Sequence, residues 1–145
     1  MFDVVVWGTD GSENCDCALD YVRGLAEGGG RRVVAVHVNE LTVGRSAGYP
    51  VNADEDEIQA KITRQAGDLQ AAGIETKLEV ASTATGGAAH VIADAAADAG
   101  ADVIVVGSRG QGPLRGLLLG SVAHRLLHVA KVPVLVVPPT AHAGG

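Results

Sequence analysis

The residues best suited to chemistry are Gly107-Ser108-Arg109-Gly110, followed after nine residues by Gly120-Ser121. Gly107 and Gly110 have no Cβ, so a ligand can come up against the backbone itself. Gly120 and Ser121 precede an apolar-periodic segment. A helix opening there aims unpaired N–H groups, a hydroxyl and the positive end of a helix dipole at one point. That is the chemistry of an anion site, phosphate above all; the structural alternative is a long loop with a capped helix. Arg109 and Arg115 are the only charged side chains from position 107 to 123, so nothing acidic opposes an anion there. A second cluster, Gly8-Thr9-Asp10-Gly11-Ser12, follows the first apolar run. If both clusters serve one ligand, Asp10 faces a phosphate, which a bare carboxylate repels. Its remaining roles are a partner for a ribose hydroxyl, a partner for a divalent cation, or a turn residue.

These clusters must be carried by regular elements, and the chain alternates strand and helix throughout. Residues 3–7 form an apolar strand, and Ser12 or Asn14 can cap the helix after it, with Ala18, Tyr21, Val22, Leu25 and Ala26 as its buried stripe. Gly28-Gly29-Gly30 ends that helix, and a second strand covers residues 33–38. Residues 39–54 are polar with two glycines and a proline, long for a loop. The acids Asp54, Glu55, Asp56 and Glu57 suit the first turn of the next helix and are read as helix-start electrostatics rather than a metal site. Ile58, Ile62, Ala66, Leu69 and Ala72 give that helix its face. Residues 74–80 alternate Glu75, Lys77, Glu79 against Thr76, Leu78, Val80, the mark of an edge strand with one wet face. A third helix over 87–99 turns Val91, Ile92, Ala95, Ala96 and Ala99 inward. A buried strand, Val103-Ile104-Val105-Val106, leads into the Gly-rich stretch. The last helix repeats Val122, Ala123, Leu126, Leu127 and Ala130, and residues 134–137 form the last strand.

Five strands alternating with four helices imply an α/β fold, a Rossmann-like open parallel sheet with helices on both faces. Ligands of such sheets sit beyond the carboxyl ends of the strands, where the strand order reverses. The two Gly-bearing loops share a ligand only if strands one and four are neighbours. That favours the order 3-2-1-4-5, which also puts the alternating strand at an edge. The other edge is then the last strand, whose Val132-Pro133-Val134-Leu135-Val136-Val137 carries no charge to discourage pairing, so a homodimer built on it is expected.

A chain of 145 residues fits one domain over residues 1–139, with 140–145 as a flexible tail. Apolar residues make up 47% but aromatics only 3%, so the core is Val, Ile, Leu and Ala. No apolar run approaches a membrane span and no signal-like segment opens the chain, so a cytoplasmic location is expected. The net charge of −6 is uneven: all 17 acids lie at or before Asp102, and four of the basic residues lie after it. The Gly-rich stretch therefore sits in the only positive part of the chain, while the acidic balance argues against nucleic acid as a partner. Cys15 and Cys17 diverge by roughly 200° on a helix, which suits neither a disulfide nor a zinc site. His124 and His128 share a helix face but have no acid or Cys nearby to complete a metal shell. His37 closes a buried strand and reads as a packed, hydrogen-bonded residue bordering the ligand. His90 reads as solvated.

With these residues in place, the chain resembles a single-domain universal stress protein of the ATP-binding type. The family's Gly-x-x-Gly, nine residues, Gly-Ser/Thr motif is matched at Gly107, Gly110, Gly120 and Ser121. The likeness extends to Asp10-Gly11-Ser12, His37-Val38, the segment 101–107 and Val134-Leu135-Val136-Val137. The resemblance implies that Thr9 and Asp10 line the ribose and adenine side, and that Val38 meets adenine through its backbone. It implies that Gly107, Arg109, Gly110, Gly120, Ser121 and Val122 hold ribose and phosphates. The ligand expected is ATP, ADP or AMP, with Mg near Asp10 through the phosphates and no metal held by the protein alone. Ala123 departs from the pattern, since several nucleotide-binding members carry Ser or Thr there. The function implied is a stress-response binding module that signals through a partner and has no catalytic residues. The alternative is a slow Mg-dependent ATPase or nucleotidyl-transferase.

Overall fold

The computed structural model describes residues 2–41, 55–108 and 119–139. The elements are β1 (Val4–Thr9), α1 (Glu13–Ala26), β2 (Arg32–Leu41), α2 (Glu55–Ala71), β3 (Glu75–Ala84), α3 (Ala88–Ala99), β4 (Val103–Gly107), α4 (Ser121–Val129) and β5 (Val134–Val137). All strand pairs are parallel, and the order is β3-β2-β1-β4-β5, as the shared-ligand argument requires.

Because alternate side chains leave opposite faces of a strand, the sheet builds two cores. On one face Val5, Trp7, Val33, Ala35, Val103 and Val105 pack under Cys15, Ala18, Val22 and Ala26 of α1 and Leu69 of α2. On the other, Val6, Val34, Val36, Ile104 and Val106 pack under Ala89, Ile92 and Ala96 of α3 and Ala123 and Leu126 of α4. Burying each of the larger aliphatic side chains contributes roughly 1.5–3 kcal/mol, so small residues spread over two faces share the stabilisation. The amino edge is tied by Asp102, whose carboxylate accepts from the Asp3 and Val4 amides at 2.9 and 3.0 Å.

Three helix-face expectations shift. Tyr21 is 43% exposed and Leu127 54% exposed, each one position off a buried neighbour, Val22 and Leu126. A step of 100° around the helix takes them out of the contact stripe. Ala72 lies past the end of α2 and is exposed. Ser12 is the N-cap of α1 but makes no side-chain cap bond, and Asn14 falls inside the helix.

The strands also run further than their apolar cores. β1 continues through Gly8 and Thr9, and β2 and β3 stay paired four residues past the Thr9↔His37 level, to Leu41↔Ala84. A two-stranded ribbon therefore stands about 13 Å above the end of β1. β3 is an edge strand: Thr76 is buried, but Val80 is 45% exposed. Residues 42–54, most of the polar stretch, and the tail 140–145 lie outside the described residues, as do Arg109, Gly110 and Arg115.

Candidate functional site

The carboxyl ends of β1 and β4 are adjacent, in register through Val5↔Val103 and Trp7↔Val105. The chain thus leaves the sheet at Thr9 and at Gly107 side by side, where the order reverses.

The β1–α1 loop is held by short-range bonds. The Thr9 hydroxyl accepts from the Gly11 N–H at 3.1 Å. Asp10 Oδ1 accepts from the Ser12 N–H at 2.9 Å, an Asx turn, and from the Cys15 thiol at 3.1 Å. The Asp10 N–H points at Cys15 Sγ at 3.4 Å. Burial, and then the charge of Asp10, push the Cys15 thiol up to about 12, so it stays protonated and donates. Gly11 has φ +82°, and a Cβ there would lie 2.9 Å from Ile58 Cγ2 of α2. Gly8 needs its missing side chain for space: a Cβ would meet Ile92 Cδ1 and Val106 Cγ1, both at 3.0 Å.

Helix α2 grips this loop from outside. Lys61 Nζ donates to the Gly11 carbonyl and to Asp16 Oδ2, both at 2.8 Å. His37, 2% exposed at the end of the apolar part of β2, has Nδ1 2.9 Å from the Thr9 carbonyl oxygen and Nε2 2.9 Å from Glu55 Oε2. The expectation of a packed, hydrogen-bonded His37 beside the loop is met. Glu55, read from sequence as helix-start electrostatics, has this second role. Its partner lies 18 residues away in sequence, and no spacing rule connects them.

On the β4 side, Gly107 ends the strand and Ser108 is buried. The Ser108 N–H donates to the Val137 carbonyl at 2.8 Å, while its carbonyl accepts from the Gly120 N–H at 2.5 Å. Ser108 and Gly120 thus meet at one point. Gly120 is the N-cap of α4, extended at φ −69° and ψ 164°, without a side-chain cap, and Ser121 is exposed at the first helical position. The helix start therefore lies beside Ser108, at the end of β4.

Val38 is buried one step past the Thr9↔His37 level, and its side chain belongs to the α3/α4 core. Val122 packs on that core but is only half-buried, whereas Val38 has only backbone to offer a ligand. Ala123 is buried there too, so position 123 faces the core. Trp7 is fully buried in the α1/α2 core with no hydrogen-bond partner for Nε1. His124 and His128 are exposed with ring centroids 5.0 Å apart, and no cluster of three metal-ligating residues occurs among the described residues. His90 is exposed.

A family model described as the universal stress protein family matches residues 1–138. The chain is similar to universal stress protein YxiE of Bacillus subtilis, 31% identical over 147 residues, covering 94% of this chain and 99% of that protein. It is also similar to universal stress protein Rv2005c of Mycobacterium tuberculosis, 29% identical over 133 residues. There the match covers 91% of this chain, which spans only 44% of the mycobacterial protein. Among solved structures, that of MJ0577 from Methanocaldococcus jannaschii aligns with a TM-score of 0.72 at 27% identity, covering 95% of this chain and 96% of that one. Two others match at the level of fold. A universal stress protein in complex with cAMP has a TM-score of 0.66 at 24% identity, covering 94% of this chain and 97% of that one. The Archaeoglobus fulgidus protein in complex with dAMP has a TM-score of 0.66 at 23% identity, with the same coverage.

Proposed function

The chain belongs to the universal stress protein family, and from that premise we propose that it binds an adenine nucleotide, ATP first among them, as a signalling module. The observation that carries this reading is the pairing of β1 with β4, which sets the Thr9–Asp10 turn beside Gly107 and the Gly120–Ser121 helix start. Two proteins of this fold are described in complex with cAMP and dAMP, which fits the same ligand class. In the proposed arrangement Thr9 and Asp10 take the ribose and adenine side, and the backbone of Val38 meets the base. Gly107, Arg109, Gly110, Gly120, Ser121 and Val122 surround ribose and phosphates. Any Mg is carried by the phosphates near Asp10. Asp10 is engaged in its Asx turn with Ser12 and by the Cys15 thiol, which argues against a free general base and favours binding over turnover. The protein acts as a cytoplasmic homodimer through the β5 edge.

Calorimetric titration with ATP, ADP, AMP and cAMP, with and without Mg, tests the reading. Gly110→Val puts a branched side chain where the backbone must approach, so binding is lost while circular dichroism is unchanged. Unchanged affinity in that variant overturns the site. In the same samples ATP turnover stays well under about 1 s⁻¹. Turnover at or above that rate, abolished by Asp10→Asn, replaces the binding module with the enzyme.

A further inference from the structure

His37 sits between two acceptors. Nδ1 faces the Thr9 carbonyl oxygen at 2.9 Å, and Nε2 faces the Glu55 carboxyl group, at 2.9 Å from Oε2 and 3.2 Å from Oε1. A carbonyl oxygen only accepts, so Nδ1 carries a hydrogen. A neutral ring of that tautomer would present the Nε2 lone pair to a carboxylate, two acceptors in contact. A hydrogen bond across that 2.9 Å contact needs one more proton, shared by His37 and Glu55. Gln59 fixes the carboxyl group from the next turn of α2, its amide donating to Oε2 at 2.6 Å.

We propose that this shared proton latches the β1–α1 loop to the start of α2. His37 is then the positioning residue of the nucleotide site, and affinity falls as rising pH removes the proton. The proposal rests on reading that loop as part of a nucleotide site. Its direction follows from the hydrogen count. With the proton present, Thr9, His37 and Glu55 form one chain of hydrogen bonds; with it gone, either the Nδ1 or the Nε2 bond must break, and the Thr9 carbonyl or Glu55 is released. The sheet neighbours of His37 are Thr9 and Val80, neither ionisable. From α2 it meets Glu55. The charged groups around the loop pair with other partners: the Cys15 thiol with Asp10, and Lys61 with Asp16 and the Gly11 carbonyl. Among the bonds described from α2 toward the loop, the His37–Glu55 link is thus the one that needs a shared proton.

Glu55→Gln separates this device from simple structural support. Its amide N–H can donate to Nε2 of a neutral ring while Nδ1–H still donates to Thr9, so the latch closes without the extra proton. The experiment is ATP titration of the parent protein and of E55Q from about pH 5 to about pH 9, the span in which histidine side chains commonly titrate. Titration of the nucleotide's own phosphate is common to both proteins and cancels in the ratio. The parent loses about three- to tenfold in affinity across the range relative to E55Q, the worth of one hydrogen bond. Parallel curves, or a variant that weakens with pH as the parent does, overturn the latch. If neither protein binds any adenine nucleotide at any pH, the reading of the site fails. The latch is then decided by amide hydrogen exchange at Asp10 and Gly11, corrected for the intrinsic pH dependence. Protection lost at high pH in the parent and retained in E55Q supports it, and equal loss in both overturns it.

Discussion

Cys15 illustrates how far a side chain's behaviour depends on neighbours that sequence spacing barely indicates. It stands three residues after Ser12 and five after Asp10, close enough for a turn to bring them together, yet the thiol donates to the Asp10 carboxylate only because α1 starts at Glu13. Its ionisation is pushed up to about 12 by burial and by that carboxylate. A thiol whose folded value is raised favours the native state fully below the ordinary thiol range, and this contribution is lost as pH climbs from there toward 12. Two results are expected in alkylation at mildly alkaline pH. Cys15 reacts at least about tenfold more slowly in the native protein than in urea, and Asp10→Asn speeds the native reaction by removing the neighbouring charge. Equal rates in native and unfolded protein would rule out the protonated, buried thiol. At this scale the turn at Asp10 was legible because an Asx turn is local. Glu55 and Lys61 were not, since they meet the loop through tertiary contacts 18 and 50 residues apart in sequence.

Among the elements, α2 has opposite relations to two glycines. Gly11, in the loop it covers, combines φ +82° with a Cβ position 2.9 Å from Ile58. Gly67, inside α2 itself, has nothing within 4 Å of its Cβ position. Gly11→Ala should cost about 1–3 kcal/mol of unfolding free energy, whereas Gly67→Ala should add about 1 kcal/mol through helix propensity. Urea denaturation of the two variants beside the parent reads both signs, and equal effects would contradict the described packing of α2 on the loop. The order and type of all nine elements follow from periodicity, because each buried stripe repeats at its own period. Strand ends do not. β2 and β3 run on through Asn39, Glu40, Ser82 and Thr83, where backbone pairing continues after the apolar pattern has stopped.

For the whole molecule, the strand order was readable because only neighbouring β1 and β4 let two Gly-bearing loops meet. That order leaves β5 at an edge, and its hydrogen bonds identify the open side. The Pro133 and Val137 carbonyls accept from Ile104 and Ser108 of the β4 side, so by alternation Val134 and Val136 turn their N–H and C=O groups outward. In the homodimer proposed here, Val136→Pro removes an outward donor without touching a bond to β4. Light scattering over a dilution series should then find a dimeric parent and a monomeric variant. A parent that is monomeric at every concentration sinks the dimer. The ribbon of β2 and β3 stands at the opposite side of the sheet from β5. Standing about 13 Å above the end of β1, it walls the binding edge on the β3 side, and the described elements offer no equal wall beyond β4. For the nucleotide site proposed here, that ribbon bars approach over β3. In the homodimer proposed here, a second copy seated on β5 stands on the side of that site away from the ribbon, so nucleotide dwell time becomes a function of protein concentration.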